Sequence, residues 1–381
     1  MNTSNVVQYN TFYEQIKNCQ GLDLRDNRGK IHSLEFVLLG LILALNRNRD
    51  GVLSSLHRSM VNTHNDLCKY MNIQNVVPVS RAQLPLILKK VNVEAFNDLI
   101  FLFFGFKLAE GEKQWFAADG KELRGSIAKG EHRGEAVVQI VSHNDRSVHG
   151  QVFYNGLKES ERPCVRQLLE SDLGSQKITL DALHLIPETV NQIEKQGGVY
   201  LIGLKENQKE LLADMKMTSN IIKPTSKYSE VEKSHGRIDT RTYRSFALNN
   251  TYYDTRWKSA NFQTLVKVQR CSYNCKNKIE SKDTSYYISN EKVQDGKSGN
   301  LFSAVRRHWN VETNNHIRDV TFKEDALQTN SSMISRILAS CRTGVINLLN
   351  QLKPKNMKAK LEEFSDNFGM LLNWLREKKV L

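Results

Sequence analysis

Asp119 closes the run Trp115-Phe116-Ala117-Ala118, Asp181 closes Ile178-Thr179-Leu180, and Glu312 lies in the stretch Arg306-Arg307-His308-Trp309-Asn310-Val311-Glu312. The two short apolar runs predict buried strands, and the amphipathic stretch predicts a helix. Two aspartates at strand ends and a glutamate on a helix form an all-oxygen donor set suited to Mg²⁺. Two such ions, with Mn²⁺ able to substitute, support in-line attack on a phosphodiester without a Ser, Cys or His nucleophile. Asp119 then bridges both ions, while Asp181 and Glu312 hold one each. Each acid also has a plainer reading: a turn at Asp119-Gly120, a cap at Asp181, an exposed helical side chain at Glu312. Their order and setting together single them out.

The surroundings of the acids are cationic. Arg306, Arg307, Arg318 and Lys323 bracket Glu312 as phosphate clamps do, and His308 and Trp309 are read as packing or DNA contacts. His308, Glu312 and His316 recur at four-residue spacing with Asp319 a turn further on, so they share a helical face. The stretch lacks the His-Glu-x-x-His form of a zinc helix. Asp319, Glu324 and Asp325 are rival third acids. Lys121 and Arg124 follow Asp119 and are assigned to DNA contact. Lys205-Glu206-Asn207-Gln208 offers Lys205, Asn207 and Gln208 to a phosphate backbone, or makes a simple turn. His235-Gly236-Arg237-Ile238, with Arg241 and Arg244 beside Tyr243, adds a further cationic surface on which Arg237 is a DNA contact.

The elements that must hold these residues follow from the apolar pattern. Residues 1–108 read as a helical domain, with helices at Leu34–Leu45 and Phe96–Phe106. A Ser80-x-x-Gln83 capping box opens a third helix running to Val91, kinked at Pro85. Its cations Arg81, Lys89 and Lys90 suit either a helix-turn-helix reader or plain packing. Residues 115–118, 137–141, 148–154, 178–180 and 199–204 predict five strands, with a helix at 159–173 and another opened by Pro187. Three consecutive strands followed by strand-helix-strand is the order of a ribonuclease-H-like mixed sheet, in which the first and fourth strands are neighbours. The expected fold class is therefore α/β (α+β), with a catalytic core at 109–205 and 301–352. A β-rich basic insertion at 206–300 precedes a long helical region from Phe302 to about Leu352. A helical tail fills 353–381.

Composition is consistent with this. The chain has 381 residues, 40% hydrophobic and 25% charged, enough for a full core in two or three domains. The net charge of +13 favours a polyanionic partner. Residues 205–300 carry 18 basic and 11 acidic side chains, whereas residues 109–204 carry 11 basic and 14 acidic. The segment with the first two acids is thus locally acidic, as a cation site requires. Six scattered cysteines without a framework spacing, and no signal-like start, predict a reduced cytoplasmic setting, close to the nucleoid.

Five ordered segments resemble the bacterial insertion-sequence transposases of the H-repeat-associated type. They are Ala118–Lys121 continuing through Leu123–Ser126; Lys158–Glu161; Leu180–His184; Gly197–Tyr200 through Lys205–Gln208; and Arg307–Glu312 continuing through Asp319–Asp325. The likeness spans roughly residues 30–350. It implies a DDE recombinase that cuts and joins DNA at its element's ends with Mg²⁺, the acid roles falling on Asp119, Asp181 and Glu312. A homodimer on double-stranded DNA is the implied assembly. Related insertion-sequence transposases carry a Tyr-Arg-Glu-Lys signature around the third acid; here no Tyr precedes Glu312 and position 319 is Asp. A ribonuclease-H-fold nuclease and a non-catalytic DNA-binding descendant are the alternatives.

Overall fold

The computed structural model describes residues 11–381 except 48–49, 106–107, 109–110, 112, 235, 249–254 and 295. His235 of the expected cationic surface lies outside the described residues.

Five helices open the chain: α1 (Phe12–Asn18), α2 (Leu34–Leu45), α3 (Leu53–Met71), α4 (Gln83–Leu88) and α5 (Val93–Phe104). Eleven of the twelve α2 residues are buried, so α2 is apolar on every side and sits inside the helical layer. Helix α4 is shorter than expected, and Pro85 occupies its first turn, where a missing N–H has no intrahelical partner to lose. No kink follows. Ser80 Oγ accepts from the Gln83 backbone at 3.2 Å, but the Gln83 side chain turns to Ser80 Oγ and His32 instead of closing the capping box.

The next stretch of chain supplies β1 (Trp115–Glu122), β2 (Ala136–Ser142), β3 (Val148–Tyr154), α6 (Lys158–Leu168), β4 (Lys177–Leu180), α7 (Pro187–Lys195) and β5 (Val199–Leu204). The segment after β5 holds α8 (Lys209–Ile221), β6 (Ser226–Ser234), β7 (Arg237–Ala247), β8 (Thr264–Asn274) and β9 (Glu280–Ser289). All nine strands form one sheet in the order β3-β2-β1-β4-β5-β9-β8-β7-β6. β1, β4 and β5 pair in parallel and the others antiparallel. The first five strands have the ribonuclease-H-like order, with β1 beside β4. The later four extend the same sheet through β5 and β9.

Helices α6, α7 and α8 pack one apolar core against one sheet face. The other face receives α9 (Gly299–Arg307), α10 (Trp309–His316) and α11 (Ser332–Asn350). The expected continuous helix from Phe302 is interrupted: residues 317–321 form a wider π turn, and Lys323 takes a left-handed φ of 44°. Gly51 packs against that corner; a Cβ there would lie 2.1 Å from the Lys323 carbonyl oxygen. The tail is two helices, α12 (Met357–Asp366) and α13 (Phe368–Glu377), because Asn367 caps α13 by accepting from the Met370 N–H. Helices α1–α5 and α11–α13 share one core.

Candidate active site

Parallel pairing between β1 and β4 ends at Ala117–Thr179. Beyond that pair the two strands separate, and Asp119 and Asp181 stand at matching positions, two residues past the last partners. Asp119 is therefore inside β1, still opposite Gln139 of β2, and only Asp181 lies past a strand end. Side chains alternate between sheet faces, so residues 117, 119, 179 and 181 point to the face that carries α10. Val311 packs against Ala117 there, and the next residue, Glu312, lies in the first turn of α10, near enough to act on Asp119.

Hydrogen bonds fix this corner. Thr179 Oγ1 donates to the Phe116 carbonyl oxygen at 3.1 Å, so the imidazoles of His143 and His308, 3.1 and 3.0 Å from the same oxygen, are its donors. Burial drives both histidines down, His143 to about 3 and His308 to about 4, so both are neutral. His308 precedes α10 and ties its start to β4. Asn315 donates to Asp119 Oδ2 at 3.3 Å. Asp181 Oδ1 accepts from the Leu183 N–H at 2.9 Å, the cap that sequence alone also allowed.

The acids share one electrostatic field. Burial and then the charges of Glu161, Asp181 and Glu312 push the Asp119 carboxyl up to about 7. Glu312 is exposed; the protein around it raises its carboxyl, against the pull of Lys205. Among the described residues no three Asp, Glu, His or Cys side chains stand close enough to hold a metal ion. The donor chemistry nevertheless fits a hard cation, because the half-buried Asp119 sits among like charges that a bound cation would relieve.

The cations expected around the site divide into two groups. Lys205, Arg307, Lys323, Arg124 and Arg237 are exposed. Lys205 is near enough to act on both Glu312 and His308. Trp309 is 56% exposed beside α9, and Arg306 pairs with Glu232 at 3.0 Å. Asn207 and Gln208 instead donate to the Ala182 and Leu185 carbonyls at 2.6 and 2.9 Å, tethering the loop after Asp181.

Arg318 and Lys121 are corrections to the expected DNA contacts. Arg318 is fully buried, its guanidinium forked onto Glu324 at 2.8 Å through two nitrogens. Lys121 is enclosed and pairs with Asp319 at 2.6 Å and Asp325 at 3.5 Å. Both side chains are spent on the interior. The rival third acids are spent with them: Glu324 lies between Arg318 and Arg342, and Asp319 faces Lys121 because the π turn rotates it away from Glu312.

Sequence reasoning gave no role to Glu161 or His184. Glu161 accepts from Tyr154 Oη and from His184 Nε2, both at 3.2 Å. A helical Glu reads as a surface residue; its one signal was its place at the end of the Lys158–Glu161 segment.

Residues 110–348 match the family described as "Transposase DDE domain". The chain is 28% identical to the "H repeat-associated putative transposase YhhI" of Escherichia coli strain K12, over 82% of this chain and 84% of that protein. "Putative protein YbfL" of the same strain is similar to the same extent, 28% over 82% and 84%. "Putative transposase YncI" of Escherichia coli O157:H7 is 27% identical over 75% of this chain and 74% of its own length.

Proposed function

This chain belongs to the transposase DDE domain family, and from that premise we propose that it cuts DNA at the ends of an insertion sequence and joins the freed ends to target DNA. The observation that carries the reading is the matched placement of Asp119 and Asp181 past the last β1–β4 pair, with Glu312 in the same field. Two Mg²⁺ or Mn²⁺ ions would be held by Asp119, Asp181 and Glu312 and would supply the Lewis acidity that activates the attacking oxygen and stabilises the leaving one.

The protein's own groups do the rest. His308, neutral and fixed on Thr179, would hold the start of α10 so that Glu312 can turn toward the gap. Lys205 and Arg307, exposed cations that act on Glu312 and His143 respectively, would take the phosphates on either side of the scissile bond. Trp309, Arg306, Arg237, Arg124 and Lys323 extend that contact over the sheet extension and the helical layer. Asn207 and Gln208 act indirectly, by holding the Asp181 loop. Two DNA ends must be held together for joining, so a homodimer on double-stranded DNA is the working form, in the cytoplasm at the nucleoid. Among the described residues no helix is long and apolar enough to cross a membrane.

The test supplies pre-cut element ends bearing a 3′ hydroxyl, a supercoiled target and Mg²⁺. Joined products support the proposal; hydrolysis without joining would instead favour a nuclease on this fold. Two further results are expected. The logarithm of DNA affinity should fall linearly with the logarithm of salt concentration, and Lys205→Met or Arg307→Met should each lower that slope by about 1. An unchanged slope would remove those residues from the DNA surface.

Cation uptake should also depend on pH. Asp119 keeps a proton up to about pH 7 in the metal-free protein, and a binding cation must displace it. Apparent Mn²⁺ affinity should therefore rise about tenfold per pH unit up to 7 and then level off. A flat response between pH 5.5 and 7 would contradict this.

A further inference from the structure

Glu161 approaches the acidic corner from the opposite side of the sheet. Residue alternation along β1 turns Asp119 toward α10 and Gly120 toward α6, the helix that carries Glu161. A Cβ on Gly120 would lie 2.7 Å from the Glu161 carboxyl carbon and 2.8 Å from both its Oε2 and Tyr154 Oη. The glycine thus leaves room for a carboxylate directly behind Asp119. Tyr154 Oη holds one oxygen of that carboxylate and His184 Nε2 the other, each at 3.2 Å. His184 is 1% exposed, and the same Nε2 stands 3.7 Å from Asp181 Oδ1. The next residue, Arg162, donates through Nε to the Leu183 carbonyl at 3.0 Å and ties α6 to the Asp181 loop. One carboxylate therefore touches the strand that bears the first acid and, through His184, the loop that bears the second.

This placement is costly for a metal-free protein. Packing alone would be served as well by a neutral side chain, since Tyr154 and His184 need only an acceptor. Instead a carboxylate stands directly behind Asp119, filling the space that Gly120 leaves open. Like charges gathered in a partly dry corner oppose folding, and a bound cation removes that opposition.

We propose that Glu161 is a positioning residue of the cation site: wedged behind Gly120 and held by Tyr154 and His184, it sets the spacing of Asp119 and Asp181 and loads the corner with charge that a bound cation relieves. The proposal rests on the reading of Asp119, Asp181 and Glu312 as cation ligands. A residue with a purely structural role would destabilise the protein when neutralised and leave cation binding alone. Glu161 should do the reverse.

The experiment measures Mn²⁺ binding by electron paramagnetic resonance of the free ion, with thermal melts with and without Mn²⁺, on the full chain. It compares the unsubstituted protein, Glu161→Gln, Gly120→Ala and Asp119→Asn. Glu161→Gln should melt at or above the unsubstituted temperature without metal, bind Mn²⁺ about tenfold or more weakly, and show a smaller Mn²⁺-induced shift. Gly120→Ala, which displaces the same carboxylate, should weaken Mn²⁺ similarly. Unchanged Mn²⁺ affinity in a folded Glu161→Gln, or a lower melting temperature with an unchanged Mn²⁺ shift, would overturn the proposal. If Asp119→Asn still loses Mn²⁺ binding in that case, the cation site itself stands. Absence of Mn²⁺ binding in the unsubstituted protein would overturn both.

Discussion

Asp119→Asn is expected to lower both strand cleavage and strand joining by about 1,000-fold or more, with little effect on DNA affinity. The amide preserves shape and the contact with Asn315, but it removes the charge that would bridge two cations. Stability should move the other way. The Asp119 carboxyl sits at about 7 in the folded chain, against 3.8 for an unperturbed one. Its charged form therefore opposes folding, a penalty absent below pH 3.8 and complete above about 7. At pH 8 the metal-free variant should melt at or above the unsubstituted temperature. A variant that both cleaves poorly and melts early would mean that Asp119 is structural. One that keeps joining DNA would remove it from the reaction.

The largest loss of stability is expected from Glu324→Ala. Glu324 is 3% exposed between Arg318 and Arg342, both fully buried, and Lys121 approaches it at 3.9 Å. Removing the acid leaves two guanidinium groups without their counter-charge in the interior, which costs about 3–5 kcal/mol. Urea denaturation followed by circular dichroism measures it. Burial alone would raise the Glu324 carboxyl; Arg318, Arg342 and Lys121 override it and hold it at about 2. A depressed folded value means that its stabilisation is complete above the unperturbed 4.5 and is lost as pH falls toward 2. Unsubstituted protein should therefore lose stability across that window more steeply than Glu324→Ala does. Parallel pH curves, or a cost below about 1 kcal/mol, would show that the cluster does not hold the region after α10 in place.

The sheet core was legible because β4, β5 and the first half of β1 are short apolar runs bounded by polar residues. Burial on both faces leaves that pattern no ambiguity, and the neighbouring of β1 and β4 followed from strand order. What stayed hidden lacked such a contrast. β6, Ser-Lys-Tyr-Ser-Glu-Val-Glu-Lys-Ser, is a mostly exposed edge strand with little apolar surface to betray it. α8 lies in a polar, basic stretch and buries only Leu211, Leu212 and Met215. No Gly or Pro separates Phe302 from Thr343, so the break near Lys323 has no local signature; it follows from pairing Glu324 with arginines on two helical segments. The same pairing misled the assignment of Arg318, since a cation six residues from a candidate acid looks alike whether it meets a phosphate or a buried glutamate. Glu161 stayed hidden for a related reason. Its importance comes from the missing Cβ of Gly120, forty-one residues earlier in the chain.

Asp119, Asp181 and Glu312 are proposed together to cage divalent cations where β1 and β4 part. Anomalous X-ray scattering from crystals of the protein on its end DNA, grown with Mn²⁺, tests it most directly. Manganese peaks are expected about 2.1 Å from carboxylate oxygens of all three acids, with Asp119 shared between two ions. Manganese seated elsewhere, or bound by the aspartates while Glu312 remains turned to solvent, would contradict it.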